Sequence, residues 1–171
     1  MARYAAFLRG VSPTNAKMPD LKRALETAGF KDVTTLLSSG NIVFEAPKAS
    51  NESLEKKIEA AIAKSVGKTF LSIVRSIDEL RALIASDPFN GVRMKPETKC
   101  VVTFLRHPPT GIKLPIQQDD ARVLRLVGNT LFTVYVPSPK GPVFMTLIEK
   151  AVGKSQTTRT WQTVEKVALV E

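Results

Sequence analysis

The residues able to do chemistry in this chain are few. His107 is the single histidine and Cys100 the single cysteine. If the segment joining them is one strand, they lie about 23 Å apart at ~3.3 Å per residue, on opposite faces. They form no dyad, and a metal site built on histidines is excluded. Cys100 reads as a small buried apolar residue, and His107, within "RHPPTG", as part of a surface loop. Two acidic pairs remain. Asp119-Asp120 belongs to a turn, and Glu55/Glu59 to a solvated helix face, with no third ligand beside either. The sequence therefore implies no metal and no cofactor. It names no general base, so an enzyme is not assigned, although arginine, lysine and backbone amides can stabilise charge without one.

Near the end stands "IEKAVGKSQTTRTW", whose "GKS" matches the close of a phosphate-binding loop. Such a loop needs a glycine five residues earlier, so that its amides can surround the phosphates; Ile148 stands there. The apolar spacing of "VFMTLIEKAVG" is helical, so Gly153 closes a helix in the left-handed conformation rather than opening one. "KSVGKT" (Lys64 to Thr69) repeats the device, with Ile62 at the required glycine position.

A different stretch, "LRGVSPTNAKMPDL", has the makings of an anion site. It leaves a strand through Arg9-Gly10, is rich in hydroxyl and amide side chains, and enters a helix through Lys17-Met18-Pro19. The start of a helix presents unpaired N–H groups and positive dipole to an anion.

Bulk properties narrow the setting. The chain has 171 residues, 43% hydrophobic and 24% charged, with a net charge of +9 and no basic tail. Mean hydropathy is −0.02 and the pI about 9.9. That composition buries a core and argues against disorder. No apolar run approaches the roughly 18–20 residues of a membrane span. Arg3 and Arg9 interrupt the first apolar stretch too early for a signal peptide. A cytoplasmic protein without a membrane partner is expected, and one cysteine suits a reducing compartment.

The elements that must position these residues follow a repeating pattern. "AFLRG" is echoed by "TFLRH", "SGNIVF" by "VGNTLF", and "KSVGKT" by "KAVGKS", in the same order. An internal duplication explains that order. In the first half, a strand at Tyr4 to Arg9 leads to a helix with Pro19 in its first turn and Gly29 as its stop. "VTTLL" and "NIVFE" flank a Ser-Ser-Gly-Asn turn and form a hairpin. A helix over about Ser50 to Val66 and the strand "FLSIVR" complete β-α-β-β-α-β. A third helix begins at the capping box Ser76-x-x-Glu79. The second half offers strands "CVVTFL", "RVLRLV" and "TLFTVYV" and a helix over Pro142 to Val152. A weak strand spans Gln156 to Arg159, and a last helix Thr160 to Val170. Where the first half has its first helix, "LPIQQDDA" gives one turn at most.

The expected fold is α+β: tandem β-α-β-β-α-β (ferredoxin-like) modules with an extra C-terminal helix. Residues 1–86 hold the first module plus a linking helix, and residues 87–171 a second, shortened module, packed as one compact body. Strands such as "CVVTFL" are apolar on both faces, so the face that helices leave open should be covered by the sister module or by a second chain, as in a homo-oligomer. A covered sheet is unavailable for base stacking. The third strand, "NIVFEA", also lacks the aromatic-rich motif of RNA-binding sheets of the same order.

"FLRGV", "ALETAGF", "SSGNIVF" and the closing "TTRTWQTVEKV" together resemble the DUF1697 family, small bacterial proteins of unknown function. The resemblance spans nearly the whole chain and implies tandem ferredoxin-like subdomains. It singles out Arg9, Lys17, Ser39, Gly40, Asn41, Thr158, Arg159 and Trp161. Gly40 and Asn41 would make the turn, and Trp161 would anchor the last helix. "VSPTNAK" departs from the glycine-rich loop common in the family, and Thr160 and Gln162 stand where Asn is usual. Arg9, Lys17, Asn41, Thr158 and Arg159 are the candidate site for a small phosphate- or carboxylate-bearing ligand. The alternative is a non-catalytic module that binds nucleic acid or protein through its basic surface.

Overall fold

The structure, a computed structural model, describes residues 1–171. The chain divides into two compact units, Met1–Leu83 with Glu165–Glu171, and Ile84–Val164. Both mix helices with antiparallel sheet, an α+β fold.

The first unit runs β1 (Ala2–Leu8), α1 (Met18–Thr27), β2 (Lys31–Leu36), β3 (Asn41–Ala46), α2 (Asn51–Val66), β4 (Ser72–Ser76) and all but the end of α3 (Ile77–Ala85). Its strands lie in the order β2-β3-β1-β4, every pairing antiparallel. Local chemistry sets the helix limits. Ser50 caps α2 by accepting the Ser53 N–H at 3.1 Å, and Gly67 ends it at φ 76°, ψ 14°, a left-handed conformation that costs glycine little. At α3 the capping box is complete: Ser76 N–H donates to Glu79 Oε2 at 2.7 Å, and Glu79 N–H to Ser76 Oγ at 3.0 Å. One sheet face sets Tyr4, Ala6, Ile42, Phe44 and Val74 in a core with Leu21, Leu25, Ile58 and Ile62 of the helices. On the other face Ala5, Phe7, Val43 and Ile73 are also fully buried.

Glu55 and Glu59 correct the expectation of a solvated acidic face. Glu55 is buried and its Oε2 accepts the Val74 N–H at 2.9 Å; Glu59 Oε2 accepts the Ser72 N–H at 3.1 Å. Alternate residues of an edge strand send their N–H groups outward, and two carboxylates one helical turn apart meet them. The pair closes the edge of β4 with charge-assisted bonds.

The second unit runs β5 (Lys99–Leu105), β6 (Ile116–Gln118), β7 (Ala121–Val127), β8 (Thr130–Tyr135), α4 (Val143–Val152), β9 (Gln156–Thr160) and the start of α5 (Trp161–Ala168). Its sheet order is β6-β7-β8-β5-β9. Without β6, this is the permutation of the first sheet. Val101, Val123 and Leu131 pack against Leu147 and Ile148 of α4. On the opposite face Phe132 meets Phe89 edge-on at 5.8 Å, and Phe89 meets Trp161 at 5.4 Å. The edge-to-face geometry suits the charge distribution of aromatic rings.

Two local readings differ from the sequence. The "LPIQQDDA" segment forms the short edge strand β6, because Ile116 to Gln118 find partners on β7, rather than a helical turn. Gly153 does close α4 with positive φ, 80°, but its ψ of −161° is outside the left-handed helical region. Gly153 thus redirects the chain toward β9 in an extended form open only to glycine. No helix is long and apolar enough to cross a membrane.

Candidate functional site

The sequence candidates are shared between the units: Arg9, Lys17 and Asn41 in the first, Thr158 and Arg159 in the second. In the first unit the β1 ladder continues one step, with Arg9 N–H donating to Leu71 O at 2.8 Å. Arg9 is half-buried there. The following loop then folds on itself. Ser12 N–H donates to Asn15 Oδ1 at 2.8 Å, Asn15 Nδ2 donates to Gly10 O at 2.7 Å, and the Ser12 and Thr14 hydroxyls bond at 2.8 Å. Lys68 Nζ donates to Asn15 O at 2.6 Å. Lys17, exposed, is the N-cap of α1 and makes no side-chain cap. The first turn beyond it holds Pro19, which has no N–H, and Asp20, whose N–H already bonds Lys17 O at 3.0 Å. The loop's polar groups thus serve its own shape, and the helix start offers an anion few amides.

The Ser-Gly-Asn motif has a structural account. Asn41 is wholly buried, and its Nδ2 donates to Leu36 O at 3.1 Å and to Ser39 Oγ at 3.0 Å, pinning the hairpin. Gly40 O accepts the Leu8 N–H at 2.9 Å. A Cβ on Gly40 would meet Leu8 Cβ and Val11 Cβ at 3.0 Å each, and φ there is +86°. Only glycine allows this close approach of hairpin and strand end.

In the second unit Thr158 and Arg159 point to opposite sheet faces, as adjacent strand residues must. Thr158 shares a 2.8 Å bond with Thr103, its cross-strand partner, and donates to Gln156 Oε1 at 3.2 Å. Arg159 is 8% exposed, and its Nη1 donates to Thr157 Oγ1 at 2.7 Å and to Thr158 O at 2.9 Å. Burial pulls its pKa down to about 10.

A further equivalence between the halves emerges. Arg75 stands opposite Ala5 on β1 and Arg159 opposite Val102 on β5. Aligning "AFLRG" with "TFLRH" places Ala5 on Val102. Arg75 is also buried, with its pKa lowered by desolvation and partly restored by Glu79 and Glu55. Its Nη1 bonds the preceding carbonyl, Val74 O, at 2.8 Å, as Arg159 bonds Thr158 O. Each arginine precedes a hydroxyl helix cap, Ser76 with Glu79 and Thr160 with Thr163. The repeat unit therefore extends through a final helix. Only the arginine and the hydroxyl survive in sequence, too little to show in the residues alone.

A concentration of cations lies elsewhere in the second unit, at residues no motif marks. Gln117, Arg122, Val134 and Cys100 form one row across β6, β7, β8 and β5, each opposite the next. Over this row the segment before β5 is held by two arginines: Arg122 Nη2 donates to Arg93 O, and Arg125 Nη2 to Pro88 O at 2.8 Å. Between segment and sheet is a cleft of about 290 Å³ lined by Arg93, Lys95, Thr98, Gln117, Asp120, Arg122 and Tyr135. Three cations face one carboxylate. Lys95 N–H donates to Thr98 Oγ1 at 2.9 Å, which fixes the turn carrying the lysine. The ring of Tyr135 is on the other face of the sheet, stacked on Phe144 of α4 at 3.8 Å, and burial raises its hydroxyl pKa, so in the cleft it contributes main chain. The only sequence signal for this cleft was the net positive charge.

His107 is exposed. Cys100 is half-buried, with Sγ 3.6 Å from Met94 Sδ, and burial raises its thiol pKa. No group of three or more His, Cys, Asp or Glu residues is placed to hold a metal ion. Phe44, the aromatic of β3, lies in the core.

Among curated proteins none matches the chain. The conserved bacterial protein SP0830 from Streptococcus pneumoniae has a similar structure, with a TM-score of 0.71 over 98% of this chain and 97% of that one, at 18% identity. At that identity the likeness is one of fold. The sequence from residue 1 to residue 132, which takes in the Leu-Arg-Gly opening and the Ser-Gly-Asn hairpin and stops before β9, matches the family described as Protein of unknown function (DUF1697), and the chain belongs to that family.

Proposed function

We propose that the protein binds a small phosphate- or carboxylate-bearing ligand, seated in the cleft of Arg93, Lys95 and Arg122. The carrying observation is that these cations and Thr98 line one concavity against the single carboxylate of Asp120. Guanidinium groups bind such oxyanions with paired, charge-assisted bonds, and hydroxyls supply further donors. Arg122 is half-buried on the sheet floor and holds the Arg93 carbonyl, which fixes the main chain that carries Arg93 over it. The volume is at the small end for ligand sites and suits a compact anion rather than an extended one. Arg9, Lys17, Asn41, Thr158 and Arg159 serve mainly the frame in this reading, through the bonds described above.

Isothermal titration at low ionic strength with phosphate, pyrophosphate, nucleoside phosphates and small di- and tricarboxylates tests the proposal. At least one should bind, with affinity falling as salt rises. Arg122→Glu and the pair Arg93→Glu/Lys95→Glu should each weaken it tenfold or more. Absence of binding by every compound, or variants that bind like the unaltered protein, refutes it.

A further inference from the structure

The two halves share a strand order but not a helix count, and the difference leaves a groove. In the first unit α1 lies between β1 and β2 in sequence and packs its Leu21 and Leu25 into one core with Ile58 and Ile62 of α2. In the second unit α4 holds the place of α2, but the place of α1 has only the three residues of β6 and the loop before it. The flank of α4 that a neighbouring helix would cover is therefore left to Leu114 and Ile116, both only half-buried. Between β6 and α4 opens a groove of about 460 Å³ with Leu114, Ile116, Leu147 and Ala151 along it.

We infer that this groove takes the hydrocarbon chain of a small amphiphilic carboxylate. Its sides are apolar, while Lys113 and Lys150, both exposed, belong to its lining, which includes no acidic side chain. Those lysines select an anionic head over a cationic one, and the side-chain amide of Gln118, on the α4 face, can donate to carboxylate oxygens. An apolar cleft with a few convergent polar groups is the usual form of a small-molecule site. This site is on the α4 face of the sheet, whereas the cationic row of Gln117 and Arg122 looks to the opposite face; the two stand or fall separately.

The test is a titration of the whole protein with butanoate, hexanoate and octanoate below their micellar range, with octylamine as the control of opposite charge. Each added methylene should tighten binding about three- to fourfold. Octylamine should bind at least tenfold more weakly than octanoate. Lys113→Glu/Lys150→Glu should weaken octanoate at least tenfold, and Ala151→Leu, which fills the groove, should do likewise, both with unchanged melting temperature. Octanoate that fails to bind at several millimolar, octylamine that binds as well, or variants that bind octanoate normally would each overturn the inference. Phosphate binding is read separately and decides none of these outcomes.

Discussion

Arg159 holds in its sheet the place that Arg75 holds in the other: each is on the last strand, opposite an equivalent residue of the first, with Nη1 on the carbonyl just before it. Two buried guanidinium groups at matching places are a property of the frame. Arg159→Ala should lower stability by about 3 kcal/mol, because it leaves the Thr157 hydroxyl and the Thr158 carbonyl without this donor and opens a cavity. Arg159→Met restores volume and should recover half of that loss or more, since burying a methionine carries no charge penalty. Denaturant unfolding measures both. An alanine variant within about 0.5 kcal/mol of the unaltered protein would remove Arg159 from the frame.

Gly40 is the residue least able to change in the hairpin. Gly40→Ala adds a Cβ 3.0 Å from Leu8 Cβ and Val11 Cβ at φ +86°, and should cost about 2–4 kcal/mol from overpacking and backbone strain together. Gly10 has φ +83° but open space around it, so Gly10→Ala should cost about 1 kcal/mol. The difference between the two melting curves isolates steric contact from φ. Equal losses would show that the close approach of hairpin and strand contributes nothing.

Much of the frame was legible because local rules agreed with the fold. The Ser50 cap, the Ser76–Glu79 box and the Ser-Ser-Gly-Asn turn each appear where their residue types require. What escaped depended on neighbours distant in sequence. Glu55 and Glu59 have the spacing of a solvated helix face, and only the edge of β4 recruits them. Residues 116–118 are too few for periodicity and become a strand through β7. β9, rich in threonine and poor in apolar residues, reads as a weak strand in sequence, and its ladder to β5 is what holds it. Arg93, Lys95 and Arg122 belong to no motif, and one bond to a main-chain carbonyl links two of them. Asn41 and Thr158 fall in motifs that resemble the family, and both side chains make hydrogen bonds within the fold.

Cys100 offers a clean pH test because it is the only cysteine. Burial raises its thiol pKa, and alkylation proceeds through the thiolate. Iodoacetamide should therefore react more slowly with the folded protein than with the urea-unfolded chain at the same pH, with a rate midpoint at higher pH. The sign for stability follows: the fold favours the neutral thiol, so the contribution of Cys100 falls as pH rises past the unfolded value toward the folded one. A folded midpoint equal to or below the unfolded one would contradict this account of its surroundings.

The proposed binding seat is tested most directly by mapping backbone amide shifts in a nitrogen-15 NMR titration with pyrophosphate at low salt. The largest saturable changes should fall on Arg93, Lys95, Thr98 and Arg122, and should vanish in Arg122→Glu while the rest of the spectrum stays in place. Changes centred instead on Arg9 and Lys17, or no saturable change at any residue, would contradict the assignment of the anion site to this cleft.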